Sequence, residues 1–213
     1  MLHIKPETKL FRLWLSWTIA TALGWLLVVY PGLNLRDEAV FAWNMLPAMA
    51  WKLFLNTIAL GLIVGLLQYL VLRFDTRISN WWIAISTVSY AFGSSLAFLI
   101  STAGIGLGNP RTLSSQGEEF LSMPLALTML IGGALAGLIQ AYALKNSFSV
   151  HRGQKTLLWI LGTALGWSLG FFATSYGWGL NMPLYLQSAF AGLIIGAVTG
   201  MFLLVQLRDE PNN

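Results

Sequence analysis

The chain has 213 residues, of which 56% are hydrophobic and only 9% charged, and its formal net charge is +4. Soluble domains carry about 25% charged residues, so a water-facing surface cannot be built here, and the clustering of the charges between long uncharged stretches is that of a multi-pass membrane protein. Cysteine is absent, which removes disulfides, thiolate metal sites and cysteine nucleophiles. No basic run is interleaved with aromatics, so the positive balance points to membrane topology and not to nucleic acid.

A spanning helix needs about 20 mostly apolar residues. In chain order, six stretches qualify: 11–30, 51–72, 81–103, 124–144, 157–176 and 184–207. The first follows a basic lead (Lys5, Lys9, Arg12) and lacks a small-x-small cleavage pattern, so it reads as an uncleaved signal-anchor helix. No stretch has a charged residue in its central part. Lys52, Arg73, Lys145 and Arg208 stand at ends, where they can snorkel to headgroups.

Orientation follows from counting Lys and Arg on each side. One side holds nine: Lys5, Lys9, Arg12, Arg73, Arg77, Lys145, Arg152, Lys155 and Arg208. The other holds three: Arg36, Lys52 and Arg111. Both termini are therefore expected in the cytoplasm. The outer loops are 31–50, 104–123 and the short 177–183, with Asp37, Glu38, Glu118 and Glu119 on that side. Gly108-Asn109-Pro110 marks a turn there.

The stretches repeat. Trp17 to Trp25 and Trp159 to Trp167 are identical at six of nine positions, including Trp17/Trp159, Gly24/Gly166 and Trp25/Trp167. The third stretch is a weaker copy aligned on Gly93, with Ser94 in place of the second Trp. The even stretches share Gly61-x-x-x-Gly65-x-x-Gln68 and Gly133-x-x-x-Gly137-x-x-Gln140. Gly196-x-x-x-Gly200 continues the series, with Leu203 in place of Gln and Gly192 and Ser188 extending it backwards. Arg73, Lys145 and Arg208 each fall twelve residues after the first Gly. The expected fold is all-α and membrane-embedded: a single domain over 1–213 with six transmembrane helices. They form three tandem hairpins, 1–80, 81–156 and 157–213, related as a pseudo-threefold bundle by an axis along the membrane normal.

Small residues four apart let helix backbones approach, which drives association where lipid is as apolar as leucine. Gly24, Gly61, Gly65, Gly93, Gly133, Gly137, Gly166, Gly192, Gly196 and Gly200 are the expected packing positions. Gln68 and Gln140 suit interhelical hydrogen bonds or ligand contact, as does Asn56, with Gln187 treated alike. Trp14, Trp51, Trp81, Trp82 and Trp178 fall at helix ends, where an interfacial belt is expected. Trp25 and Trp167 lie deeper and could stack on a bound ring. No cofactor is required; a chlorophyll or carotenoid is the flat ligand such faces would admit. His3 and His151 lie outside the spans, so no intramembrane imidazole is on hand to ligate a haem or chlorophyll. Nor does any His accompany Ser94 or Ser95 in a hydrolase arrangement.

The Trp-x6-Gly-Trp element, followed by Gly-x3-Gly-x2-Gln and a basic helix end, resembles a loose group of uncharacterised multi-pass proteins of cyanobacteria and some other bacteria. The resemblance covers most of the chain and implies the hairpin repeat; it carries no activity or site residues. Mitochondrial-type carriers also have three two-helix repeats, but their charged Pro-x-Asp/Glu-x-x-Lys/Arg elements are missing. Without intramembrane ionisable groups a proton-coupled pump is not expected. The leading expectation is a non-enzymatic subunit, assembly factor or scaffold, partnered by membrane lipids and by other membrane proteins or a second copy. The location expected is the cell inner membrane, or the thylakoid if cyanobacterial. The alternatives are a pigment- or lipid-binding protein and a small-solute transporter.

Overall fold

Backbone polar groups in hydrocarbon must be satisfied within the segment that carries them, which leaves the helix as the form for apolar stretches of this length. The computed structural model describes residues 6–29, 46–75, 79–106, 119–144, 152–179 and 182–208; apart from 79–80 and 182–183 these are helical, with no strand among the described residues. The helices are α1 (Pro6–Val29), α2 (Leu46–Asp75), α3 (Trp81–Gly106), α4 (Glu119–Leu144), α5 (Arg152–Gly179) and α6 (Leu184–Arg208). Five are long and apolar enough to cross a membrane, through Thr8–Val28, Phe54–Arg73, Ala126–Leu144, Gly153–Thr174 and Leu184–Leu207.

Four helices begin five residues before the expected stretches: α1 at Pro6, α2 at Leu46, α4 at Glu119 and α5 at Arg152. The helix α2 begins at Leu46, so Trp51 and Lys52 lie inside it. The helix α5 begins at Arg152, which places the expected boundary at 156/157 within its first turns. Pro47 stands at the second position of α2, in the first turn where its missing N–H would be unpaired anyway, and the polar first turn of α5 lies outside an apolar window although it is helical. The turn at 108–110, the outer-loop charges Arg36, Asp37, Glu38, Arg111 and Glu118, and His3, His151 and Lys145 lie outside the described residues.

Each helix packs on its neighbours in chain order, and α1 closes the ring against α6. Adjacent helices run antiparallel, because residues early in α1, α3 and α5 meet residues late in α2, α4 and α6. Leu13, Trp17, Trp82 and Trp159 share one buried cluster with Tyr69, Leu72, Leu144 and Leu203. A second cluster fills the other half, with Trp25, Leu60, Val64, Tyr90, Met129, Trp167 and Ile195.

Residue size sorts by face. Along α1, Phe11, Leu15, Ile19, Leu23 and Leu27 form an exposed i, i+4 stripe, while Thr18, Thr21, Ala22 and Trp25 are buried. The helix α5 does the same with Leu157, Leu161, Leu165 and Leu169 outside. Large side chains suit lipid, and small ones allow helix backbones to touch. The seams show the result. A methyl group at Gly61 would come within 2.7 Å of Thr87 Cα, and one at Gly196 within 2.9 Å of Thr18 Cα.

Candidate functional site

Most buried polar side chains lie in the half of the bundle that carries Arg12, Arg73 and Lys155, while Thr57, Thr128, Gln187 and Ser188 are buried toward the other end. Three indoles stand at its centre. Trp17 of α1, Trp82 of α3 and Trp159 of α5 lie with ring centroids 6.1, 6.0 and 6.1 Å apart for the pairs 17/82, 17/159 and 82/159. Each ring is only 1% exposed. The 17/159 and 82/159 pairs meet edge to face, an arrangement that sets the positive ring edge on a negative face.

Hydrogen bonds radiate from this trio. The Trp17 indole N–H donates to Thr199 Oγ1 at 3.0 Å, and Thr199 donates in turn to the Ile195 carbonyl at 2.7 Å, tying α1 to α6. Gln68 Nε2 donates to Thr21 Oγ1 at 3.0 Å, and Thr21 donates to the Trp17 carbonyl at 2.9 Å, tying α2 to α1. The Tyr69 hydroxyl donates to Asn80 Oδ1 just before α3. Lys155 Nζ donates to the Gln206 carbonyl at 2.7 Å, while Gln206 Nε2 returns a bond to the Lys155 carbonyl at 3.0 Å. That reciprocal bracket joins the start of α5 to the end of α6.

Five buried polar atoms in this region have no hydrogen-bond partner among the described residues: Trp82 Nε1, Trp159 Nε1, Ser86 Oγ, Gln68 Oε1 and Gln206 Oε1. Ser86 packs directly on α2, its Cβ within 2.8 Å of where a Gly65 methyl would sit. Gln68 stands one turn beyond Gly65 on that helix. The five comprise two obligate donors, two amide oxygens that only accept, and a hydroxyl that does both. Unpaired polar groups away from water cost about 1–3 kcal/mol each, and in a membrane interior no bulk water relieves them. The layer therefore holds donors and acceptors that no described residue satisfies.

The candidate residues divide between layers. Gln68 belongs to the polar layer. Gln140 is buried on α4 and Asn56 is half-buried on α2, away from the indole trio. Trp25 and Trp167 line the second cluster, Trp25 edge-on to Phe171 at 5.5 Å and Trp167 beside Tyr90 at 5.1 Å. Gln187 caps its own turn by donating to the Met182 carbonyl. The candidate glycines all lie at seams between helices of this chain. A methyl at Gly24 would meet Val64, at Gly93 Ala136, and at Gly166 Thr199. Likewise Gly65 faces Ser86, Gly133 and Gly137 face Thr163, Gly192 faces Ala22 and Trp25, and Gly200 faces Trp14 and Trp17.

Two expectations need correction. Trp82 is not part of an interfacial belt: Trp51 and Trp81 are 61% and 71% exposed, but Trp82 turns inward to meet Trp17 and Trp159. Lys155 is not a loop residue: it is 3% exposed within α5. The sequence reading also passed over Thr21, Ser86, Thr199 and Gln206. A hydroxyl or amide on the small-residue face of a helix was the available signal. Among the described residues no group of three His, Cys, Asp or Glu could hold a metal ion. No protein-family model matches this chain, no curated protein matches its sequence, and no solved structure matches its fold.

Proposed function

We propose that this chain is a non-enzymatic, membrane-embedded protein that binds and passes a small uncharged polar solute through the core of its six-helix ring. The carrying observation is the set of five unpartnered buried polar atoms around the indole trio. A purely structural core gains nothing by keeping them, since a half-satisfied polar network is worse than an apolar one. Three indoles with centroids about 6 Å apart leave no room between them. The axis is closed in this conformation, and passage requires a ring to swing aside.

In this reading all six helices span, as three tandem hairpins about a pseudo-threefold axis, with both termini cytoplasmic. The seam contacts support it. Gly24, Gly93 and Gly166 each oppose a residue three positions after the first Gly of the partner helix: Val64, Ala136 and Thr199. Between hairpins, Gly61 and Gly196 meet the residues six and three positions before Gly93 and Gly24. At the remaining seam that place is taken by Gly137, facing Ile160 and Thr163, so α5 sits one turn displaced against α4. The glycines of the packing series face other helices of this chain, and leucine stripes lie outside, which favours the solute reading over the scaffold reading.

The test is reconstitution into liposomes and stopped-flow light scattering under gradients of urea, glycerol and sorbitol. Re-equilibration of at least one solute faster than in empty vesicles is expected, with Gln68→Leu slowing it. Rates equal to empty vesicles for all three solutes, from protein that retains its helical spectrum, would overturn the proposal.

A further inference from the structure

The seams that hold Trp17 and Trp159 are built alike. A methyl at Gly196 of α6 would come within 2.9 Å of Thr18 Cα and of Thr21 Cβ; one at Gly137 of α4 would come within 2.9 Å of Ile160 Cα and 3.0 Å of Thr163 Cβ. Thr18 and Ile160 each follow the tryptophan, and Thr21 and Thr163 each donate to that tryptophan's carbonyl at 2.9 Å. The two seams therefore correspond residue for residue, and the fate of each ring is set by what stands around it. The Trp17 N–H is bonded to Thr199, three residues after Gly196. Gly200 lies so close that a methyl there would come within 3.0 Å of Trp17 and 2.9 Å of Trp14. Trp14 is itself tied by its N–H to the Ala197 carbonyl at 3.0 Å and packed on Phe11 at 5.8 Å. The α4–α5 seam has other residues at these places: Gln140 for Thr199, Ala141 for Gly200, Thr156 for Trp14 and Gly153 for Phe11. The Trp159 N–H is unpartnered among the described residues. An open groove of about 630 Å³ lies there, its lining including Leu138, Ala141, Gly153 and Thr156.

We infer that Trp159 is the ring that swings to open the core, and that Trp17 is the fixed post it closes against. The inference rests on the proposed passage through the core and names the part that gates it. A ring in a close-packed interior moves only where there is space to enter, and the groove left by Gly153 and Thr156 is that space. A moving indole must also bring its N–H to an acceptor, since a donor stranded away from water is costly. Gln140, buried on α4 at the place of Thr199, carries an amide oxygen for it. Trp82 has no such partner. On α2 a methyl at Gly61 would meet Thr87 and Tyr90, and the residue three positions on is Val64, which cannot accept a hydrogen bond.

The full chain, labelled with 5-fluorotryptophan and held in lipid nanodiscs, is read by fluorine NMR, with the lines of Trp17, Trp82 and Trp159 assigned by single Trp→Phe substitutions. The Trp159 line should be broadened by exchange, while that of Trp17 stays single and sharp. Gln140→Leu removes the acceptor and should sharpen the Trp159 line. Gly153→Phe combined with Thr156→Trp and Ala141→Gly copies the surroundings of Trp17; it should also sharpen the line and bring solute flux down to that of empty vesicles. A Trp159 line as sharp as that of Trp17 in the native chain would overturn the assignment, as would a line left broad by both variants. The outcomes separate the two proposals. Flux with an immobile Trp159 overturns the gate and leaves the passage standing, whereas a mobile Trp159 without flux overturns the passage and leaves the moving ring.

Discussion

Adjacent residues of one type can have opposite fates. Trp81 and Trp82 differ by about 100° around α3, so one faces lipid and the other the core. Composition and position along the chain cannot separate them; only the phase of the helix can, and that phase was legible through Gly93, whose seam with α4 fixes which side is inward. Gln68 was legible as an interhelical donor because it extends a glycine face. Its orphaned oxygen was not, since pairing depends on three helices at once. The substitution Gln68→Leu removes one interhelical bond, worth about 0.6–2 kcal/mol, and one unpaired acceptor that costs about 1–3 kcal/mol. Thermal melting in detergent should therefore shift by less than the equivalent of about 1–2 kcal/mol in either direction, while solute flux falls. Lys155 is a different case. Its ammonium satisfies a carbonyl in the last turn of α6, where a cation also complements the helix dipole. Lys155→Met strands that carbonyl, and a loss of about 1–3 kcal/mol is expected, measured by unfolding in a denaturing detergent titration.

At the scale of the helix, the pattern of small and large residues carries most of the information. The helices of the ring were legible as apolar runs, and their inward faces as glycine series. The ends were not: α5 continues through the polar Arg152–Thr156, and α2 starts at Leu46 with Pro47 in its first turn, where a proline reads as a loop signal although a first helical turn tolerates it. The one-turn displacement of α5 against α4 was also hidden. The motif Gly-x-x-x-Gly offers two equivalent docking positions, and the sequence does not say which is used. A leucine at Gly133 would drive into the Thr163 carbonyl and the Trp167 side chain, both within 2.9 Å of its Cβ. Overpacking of this kind costs about 1–3 kcal/mol. Gly133→Leu should lower the melting temperature clearly, whereas Leu161→Ala on the lipid face should leave it nearly unchanged.

For the whole molecule, closure of the ring by α1 and α6 is the testable geometry. The chain has no cysteine, so an introduced pair gives an unambiguous readout. A methyl at Gly196 would sit 2.9 Å from Thr18 Cα, within reach of disulfide geometry, which wants Cβ atoms about 3.5–4.5 Å apart. The double variant Thr18→Cys with Gly196→Cys should cross-link under mild oxidation and migrate as a compacted species on denaturing gels. Thr18→Cys with Leu193→Cys, whose second site faces outward, should not. No linear reading of the sequence could supply this contact, because it joins positions separated by most of the chain.

The same closure sets an order of events during synthesis. The helix α1 leaves the ribosome first, yet its inward face from Trp14 to Trp25 is met by α6, the last of the six helices to be made. Until then α1 enters the bilayer with Thr18, Thr21 and its tryptophan N–H groups lacking their final neighbours. A nascent chain stalled before α6 would display that polar, small-residue face laterally to the lipid. Ring closure is therefore the step at which that face is withdrawn from the lipid.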